Sequence, residues 1–198
     1  MTARARAKGS GTRRAGEPTL TAADWAEAGL QYIAEHGLRA LTVDALARRM
    51  GVTKGSFYWH FKGRRELLMA ALHRWESKAT GDAMKALDAI PDARKRLELM
   101  LRAASEPPRS RSLYAALAEA AEDPIVRAAL DRVASARIGY LERCYRDLGF
   151  AQPATRSRAL FAYAAYRGLL QLAHEAPGAL PGDWTEYPLV VKGALLPQ

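Results

Sequence analysis

Apolar residues recur at three- and four-residue spacing along most of the chain, and no stretch keeps the two-residue alternation of a strand. The first run puts Ala26, Leu30 and Ile33 on one face, with Thr21 as N-cap and Gly37 as stop, so a helix is predicted over residues 21–36. A second is predicted over 43–50, capped by Thr42, with Leu46, Ala47 and Met50 facing inward. A third follows Gly51 and runs from a Thr53 cap to about His60, anchored by Phe57 and Phe61. A fourth starts near Arg64 and buries Leu68, Leu72 and Trp75. Prolines at 91, 107, 108, 124, 153, 177 and 181 then divide helices over 92–105, 110–121, 124–148 and 154–174, with a shorter last one within 184–195. The expected class is all-α: residues 20–63 form a three-helix N-terminal domain and residues 64–198 a second helical domain.

Residues 42–68, TVDALARRMGVTKGSFYWHFKGRRELL, meet the physical requirements of a helix-turn-helix. Close approach of two helices needs a small inner residue, which Ala47 supplies. The turn needs a residue tolerant of positive φ, which Gly51 supplies, and Val52 plugs the core behind it. The start of the reading helix should offer short donor-rich groups to base edges, and Thr53, Lys54, Gly55 and Ser56 do so, with Gly55 allowing close backbone approach. Tyr58, His60, Lys62 and Arg64 read as phosphate clamps, as does Thr42 at the start of the preceding helix; such contacts position a protein without reading sequence. Trp59 either packs on a thymine methyl or sugar edge or partly covers the domain surface.

Charge concentrates on the same segment. Net charge is +9 over 198 residues, and residues 1–75 hold 13 Lys and Arg against 6 Asp and Glu, a surplus of +7. The remainder is almost balanced, at 17 against 15. Residues 1–19, with Arg4, Arg6, Lys8, Arg13 and Arg14 among Gly, Ser, Thr and Ala, have nothing to build a core from and are expected to be a disordered basic arm. The arm is either a solvated tail or an extra phosphate or minor-groove contact.

On the residues GLRALTVDALARRMGVTKGSFYWHFKGRRELL, 37–68, the chain resembles the tetracycline-repressor (TetR) family of bacterial transcription regulators. The Tyr-x-x-Phe of Tyr58 and Phe61, followed by a basic residue, is the most specific part. Two positions depart from the family pattern. Gly63 stands where Ser, Asn or Asp usually caps the fourth helix, a loss of only a few tenths of a kcal/mol for Gly, and Arg64 stands for Lys. With the preceding helix, which has the right length, the resemblance covers about a quarter of the chain; beyond it only the helical architecture corresponds. It implies a homodimer whose reading helices meet successive major grooves of a palindromic double-stranded operator, a C-terminal ligand-binding and dimerisation domain, and a repressor released by a small-molecule effector.

The C-terminal helices carry Tyr114, Tyr140, Tyr145, Phe161, Tyr163 and Tyr166, with Met84, Met100, Leu113 and Leu117. These residues serve either as ordinary core or as the wall of a largely apolar pocket with a few polar tips. The candidate ligand-binding set is Met100, Tyr114, Leu117, Tyr140, Tyr163 and Arg167. Arg137, Arg167 and His174 are each either surface or ion-paired residues or partners for an anionic group. Small residues along the 154–174 helix, with Ala162, Ala165, Gly168, Leu169 and Leu172 as the candidate dimer contacts, suit a four-helix interface formed with the last helix; burial within one subunit is the alternative.

Composition removes other classes. One cysteine, Cys144, allows no internal disulfide, suits a reducing cytoplasm, and is expected to be quiet and partly buried. The four histidines lie in no metal-ligand spacing, and there is neither a phosphate-binding glycine loop nor a G-x-S-x-G, so no enzyme, metal site or cofactor is expected. The most apolar later segment, 159–173, contains Arg167 and is shorter than a membrane span, so no membrane partner is expected. The expected function is a cytoplasmic, ligand-released DNA-binding repressor, with a constitutive or architectural DNA binder as the alternative.

Overall fold

The computed structural model describes residues 20–107 and 113–196, and among them every regular element is helical. The basic arm and the beginning of the helix expected at 110 lie outside the described residues.

Helix α1 spans Ala22–His36 and opens on a reciprocal cap: Thr21 Oγ1 accepts from Asp24 N–H, while the Asp24 carboxylate accepts from Thr21 N–H at 2.8 Å. A single 3₁₀ turn over Leu38–Ala40 leads to α2, Val43–Arg49, where Thr42 Oγ1 accepts from Ala45 N–H at 3.1 Å. Gly51, at φ 69°, ends α2: its N–H donates to Arg48 O at 3.2 Å, and Val52 N–H donates to Ala47 O at 3.0 Å. That pair of bonds is a Schellman closure, and its left-handed residue favours glycine. Helix α3, Lys54–Tyr58, ends two residues before the predicted His60. Helix α4 spans Arg64–Glu76.

The spacing of apolar residues does not mark the next element. Residues Ser77–Asp82 form a π-helical turn that runs without a break from α4 into α5, Ala83–Asp88. Then come α6 (Ala93–Ala104), α7 (Leu113–Glu119), α8 (Pro124–Asp147), α9 (Ala154–Glu175) and α10 (Tyr187–Leu195). Arg137 of α8 donates to the Ala79 carbonyl at 3.0 Å, giving an outside partner where the regular ladder is interrupted.

Two apolar cores hold these helices. In the first, Trp25 meets Phe57 edge-to-face at 5.3 Å, both fully buried, each contributing about 1.5–3 kcal/mol by transfer from water. This core extends past the N-terminal helices: Trp75 packs edge-to-face on Tyr114 at 5.7 Å, and Leu117, Val126, Ala129 and Val133 belong to the same cluster. The second core joins Leu97, Tyr140, Tyr145, Ala159 and Leu195, and Tyr145 Oη donates to the Leu195 carbonyl at 2.8 Å, which fastens α10 to α8. Cys144 lies buried in this core, where burial raises its thiol pKa and disfavours the reactive thiolate.

Candidate functional site

The stretch from Thr53 to Lys62 separates into an inner and an outer set. Phe57 and Phe61 are buried; Thr53, Lys54, Gly55, Tyr58, Trp59 and Lys62 are exposed, and His60 is half-buried. Trp59 is 83% exposed, so little of its ring rests on the domain surface. Thr53 stands at the cap position of α3, yet its hydroxyl makes no cap bond, so the sequence expectation of a side-chain cap there is corrected. The half-buried Ser56 follows on the same first turn, Lys54 forms an ion pair with Asp44 of α2, and the Thr42 hydroxyl is engaged in capping α2.

Arg64 does not stand free as a phosphate clamp would. Its guanidinium donates to Leu41 O at 2.7 Å (Nε) and to Leu38 O at 2.8 Å (Nη2), partly buried. A side chain held in this way ties α4 to the loop before α2 and is poorly placed to clamp a phosphate. Beside it, the missing side-chain cap at Gly63 is partly replaced: Glu66 accepts from Lys62 N–H at 2.6 Å.

A cavity of about 540 Å³ lies between the π turn, α5, α6, α8 and α9. Met84, Leu87, Ile90, Met100 and Leu141 form most of its apolar wall, and Thr80, Arg137, Tyr163 and Tyr166 carry its polar atoms. Of the six candidate ligand residues, Met100 and Tyr163 line it. Tyr114, Leu117, Tyr140 and Arg167 do not. Leu117 is buried in the first core and Tyr140 in the second. Tyr114 lies behind the wall, its hydroxyl 3.1 Å from that of Tyr163, and the Arg167 guanidinium stacks 3.7 Å over the Tyr114 ring. Periodicity could not find Thr80, because the π turn shifts the register that would place it inside.

The family model described as "Bacterial regulatory proteins, tetR family" matches residues 26–71, which span α1 through most of α4. Residues 26–71 are thus a TetR-type N-terminal domain. Over 46 residues it is 44% identical to two HTH-type transcriptional regulators of Pseudomonas putida, SrpR and TtgW. That match is 23% of this chain, and it spans 22% and 34% of the length of those relatives. A transcriptional regulator from Rhodococcus sp. Rha1 superposes with a TM-score of 0.68 at 24% identity, covering 87% of this chain and 94% of that one. Two further regulators share the fold and were solved with ligands. One, from Saccharomonospora viridis, is in complex with choline (TM-score 0.65, 20% identity, 85% and 92% covered). The other, FadR from Bacillus subtilis, is in complex with stearoyl-CoA (TM-score 0.59, 13% identity, 87% and 96% covered).

Outside that TetR-type domain, the candidate dimer residues divide between two faces of α9. Ala162 and Leu169 are buried, Ala162 against the cavity, so these two are corrected to internal positions. Gly168 and Leu172 are exposed and Ala165 is half-buried. With Phe161, 61% exposed, they form one stripe at spacings of four, three and four residues. Leu189 and Val190 of α10 are exposed as well. Among the described residues no group of His, Cys, Asp or Glu is placed to hold a metal, and no helix is long and apolar enough to cross a membrane.

Proposed function

We propose that this chain is a DNA-binding transcriptional regulator, a homodimeric repressor that a small, largely apolar effector releases from a palindromic operator. Thr53, Lys54, Gly55, Ser56 and Trp59 face base edges, while Tyr58, His60, Lys62 and the Thr42 end of α2 hold phosphates. Contact between two copies runs through the Phe161, Ala165, Gly168 and Leu172 stripe with Leu189 and Val190, an apolar surface that a lone subunit would leave wet.

One observation carries the effector reading. The continuous helical path from Arg64 to Asp88 is bonded to the reading domain at its start and walls the 540 Å³ cavity further on. A ligand that prefers one position of that path shifts the separation of the two reading helices, and it shifts it only as far as its affinities for the two states differ. A constitutive binder has no use for such a cavity. The test is fluorescence anisotropy of the full chain with palindromes from the DNA flanking its gene, across salt concentrations, with and without candidate apolar ligands. Specific binding weakened by ligand is the expected result. Equal affinity for random DNA at every salt concentration would overturn the reading.

A further inference from the structure

The cavity wall carries information about the charge of the effector, and the inference rests on the ligand-released reading. The homologous fold accommodates both choline and stearoyl-CoA, so the fold alone does not choose a charge. This chain's own lining does. Among the described residues Arg137 is the only charged side chain in the wall, and no Asp or Glu lines the cavity. The Arg137 guanidinium has only neutral partners: Ala79 O at 3.0 Å, Thr80 Oγ1 at 3.3 Å and Tyr166 Oη at 3.4 Å, with the Tyr166 ring 5.6 Å away. A guanidinium stays protonated and carries five N–H donors, so these three bonds leave two donors and a whole charge unanswered.

A second guanidinium adds to the field from behind. Arg167 lies over Tyr114, whose hydroxyl pairs with that of the cavity-lining Tyr163, and Arg167 Nη1 is buried without a hydrogen-bond partner. The polar end of an otherwise apolar cavity is therefore electropositive. Cations are repelled there, a neutral polar head leaves the charge unanswered, and a planar anion meets a matching fork.

We propose that the cavity takes an amphipathic monoanion, an apolar body ended by a carboxylate, with the carboxylate on Arg137 and the body among Met84, Leu87, Met100 and Leu141. The head group takes the two free N–H groups of the same guanidinium that holds Ala79 O. Occupancy is thereby felt in the π turn, on the helical path that reaches the reading domain.

The test uses the full chain and three probes of equal chain length below their aggregation limits: decanoate, 1-decanol and decyltrimethylammonium. Calorimetric titration should give decanoate an affinity about tenfold or more above decanol, with the ammonium weakest, as expected for a charge-assisted pair. In Arg137→Met the margin of decanoate over decanol should fall to about twofold or less, and Arg137→Lys should keep part of it. Decanol or the ammonium binding the unaltered chain as tightly as decanoate would overturn the anionic assignment and leave the effector reading intact. A full margin retained in folded Arg137→Met would overturn Arg137 as the receptor. No binding of any probe would overturn both. Should Arg137→Met fail to fold, the ranking of the three probes on the unaltered chain decides.

Discussion

Arg64 Nε donates to the carbonyl oxygen of Leu41 at 2.7 Å, across the joint where the reading unit meets α4. The same guanidinium reaches Leu38 O, so one side chain closes the loop that precedes α2. Arg64→Ala would leave the partly buried Leu41 carbonyl unpaired and take from Leu38 O one of its two donors, the other being Leu41 N–H, at a cost of about 2–3 kcal/mol. The expected result is a melting temperature lower by about 5–10 °C for a chain of this size. The dependence of DNA affinity on salt should keep its slope, because no phosphate contact is lost. A slope reduced by about one would return Arg64 to the phosphate clamps.

Lys62→Ala is expected to do the opposite: little change in melting, and a salt slope smaller by about one. Tyr58→Phe should weaken binding to all sequences alike. Lys54→Ala should also change which sequence is preferred, and unchanged relative preferences in a selection from random DNA would show that α3 enters the groove differently.

Phe161→Glu places a charge in the exposed α9 stripe. Sedimentation at micromolar concentration should show a monomer, and operator affinity should fall while the helical circular-dichroism signal is kept. A dimer that survives both Phe161→Glu and Leu172→Glu would remove this face from the interface.

Glu27 of α1 bridges Arg74 Nε at 2.6 Å and Lys78 Nζ at 2.7 Å. The hydrogen bond from Lys78, then that from Arg74, hold its carboxyl below the ordinary value of 4.5. A carboxylate whose folded pKa is depressed adds stability above its unfolded pKa and loses it as pH falls through the folded one. Glu27→Gln should therefore destabilise by about 0.5–1 kcal/mol at pH 7, discounted for partial exposure. In denaturant titrations that difference should shrink as pH falls below 4.5.

Gly63 has an extended backbone, and an added Cβ would meet nothing within 4 Å. Gly63→Ser should restore the absent cap and raise stability by a few tenths of a kcal/mol, seen as a rise of about 1 °C in melting temperature.

The N-terminal elements were legible because their signals are local. Thr21 and Thr42 cap within three residues of themselves, Gly51 is selected by its own φ, and Phe57 and Phe61 share a face whatever surrounds them. The features that stayed hidden depend on partners far along the chain. Arg64 looks like any exposed helix-start cation until its carbonyl partners, 23 and 26 residues away, are in place. Tyr114 and Arg167 were recognisable as an aromatic and a cation of interest, but they stack on each other behind the cavity wall. Arg137 and Tyr166 were noted as a possible anion partner and a possible pocket aromatic but stood outside the candidate ligand set, and only the assembly of α8 and α9 against the π turn distinguishes them from surface residues.

The first core has no seam between the two halves: Trp25 and Phe57 belong to one apolar cluster with Tyr114, Leu117, Val126 and Val133. The reading head is therefore not a detachable module. A fragment cut at the start of α4 would leave the faces of α1 that rest on α4 and α7 in water. A chimera built to move this helix-turn-helix onto another C-terminal half would have to transplant those surfaces along with α3.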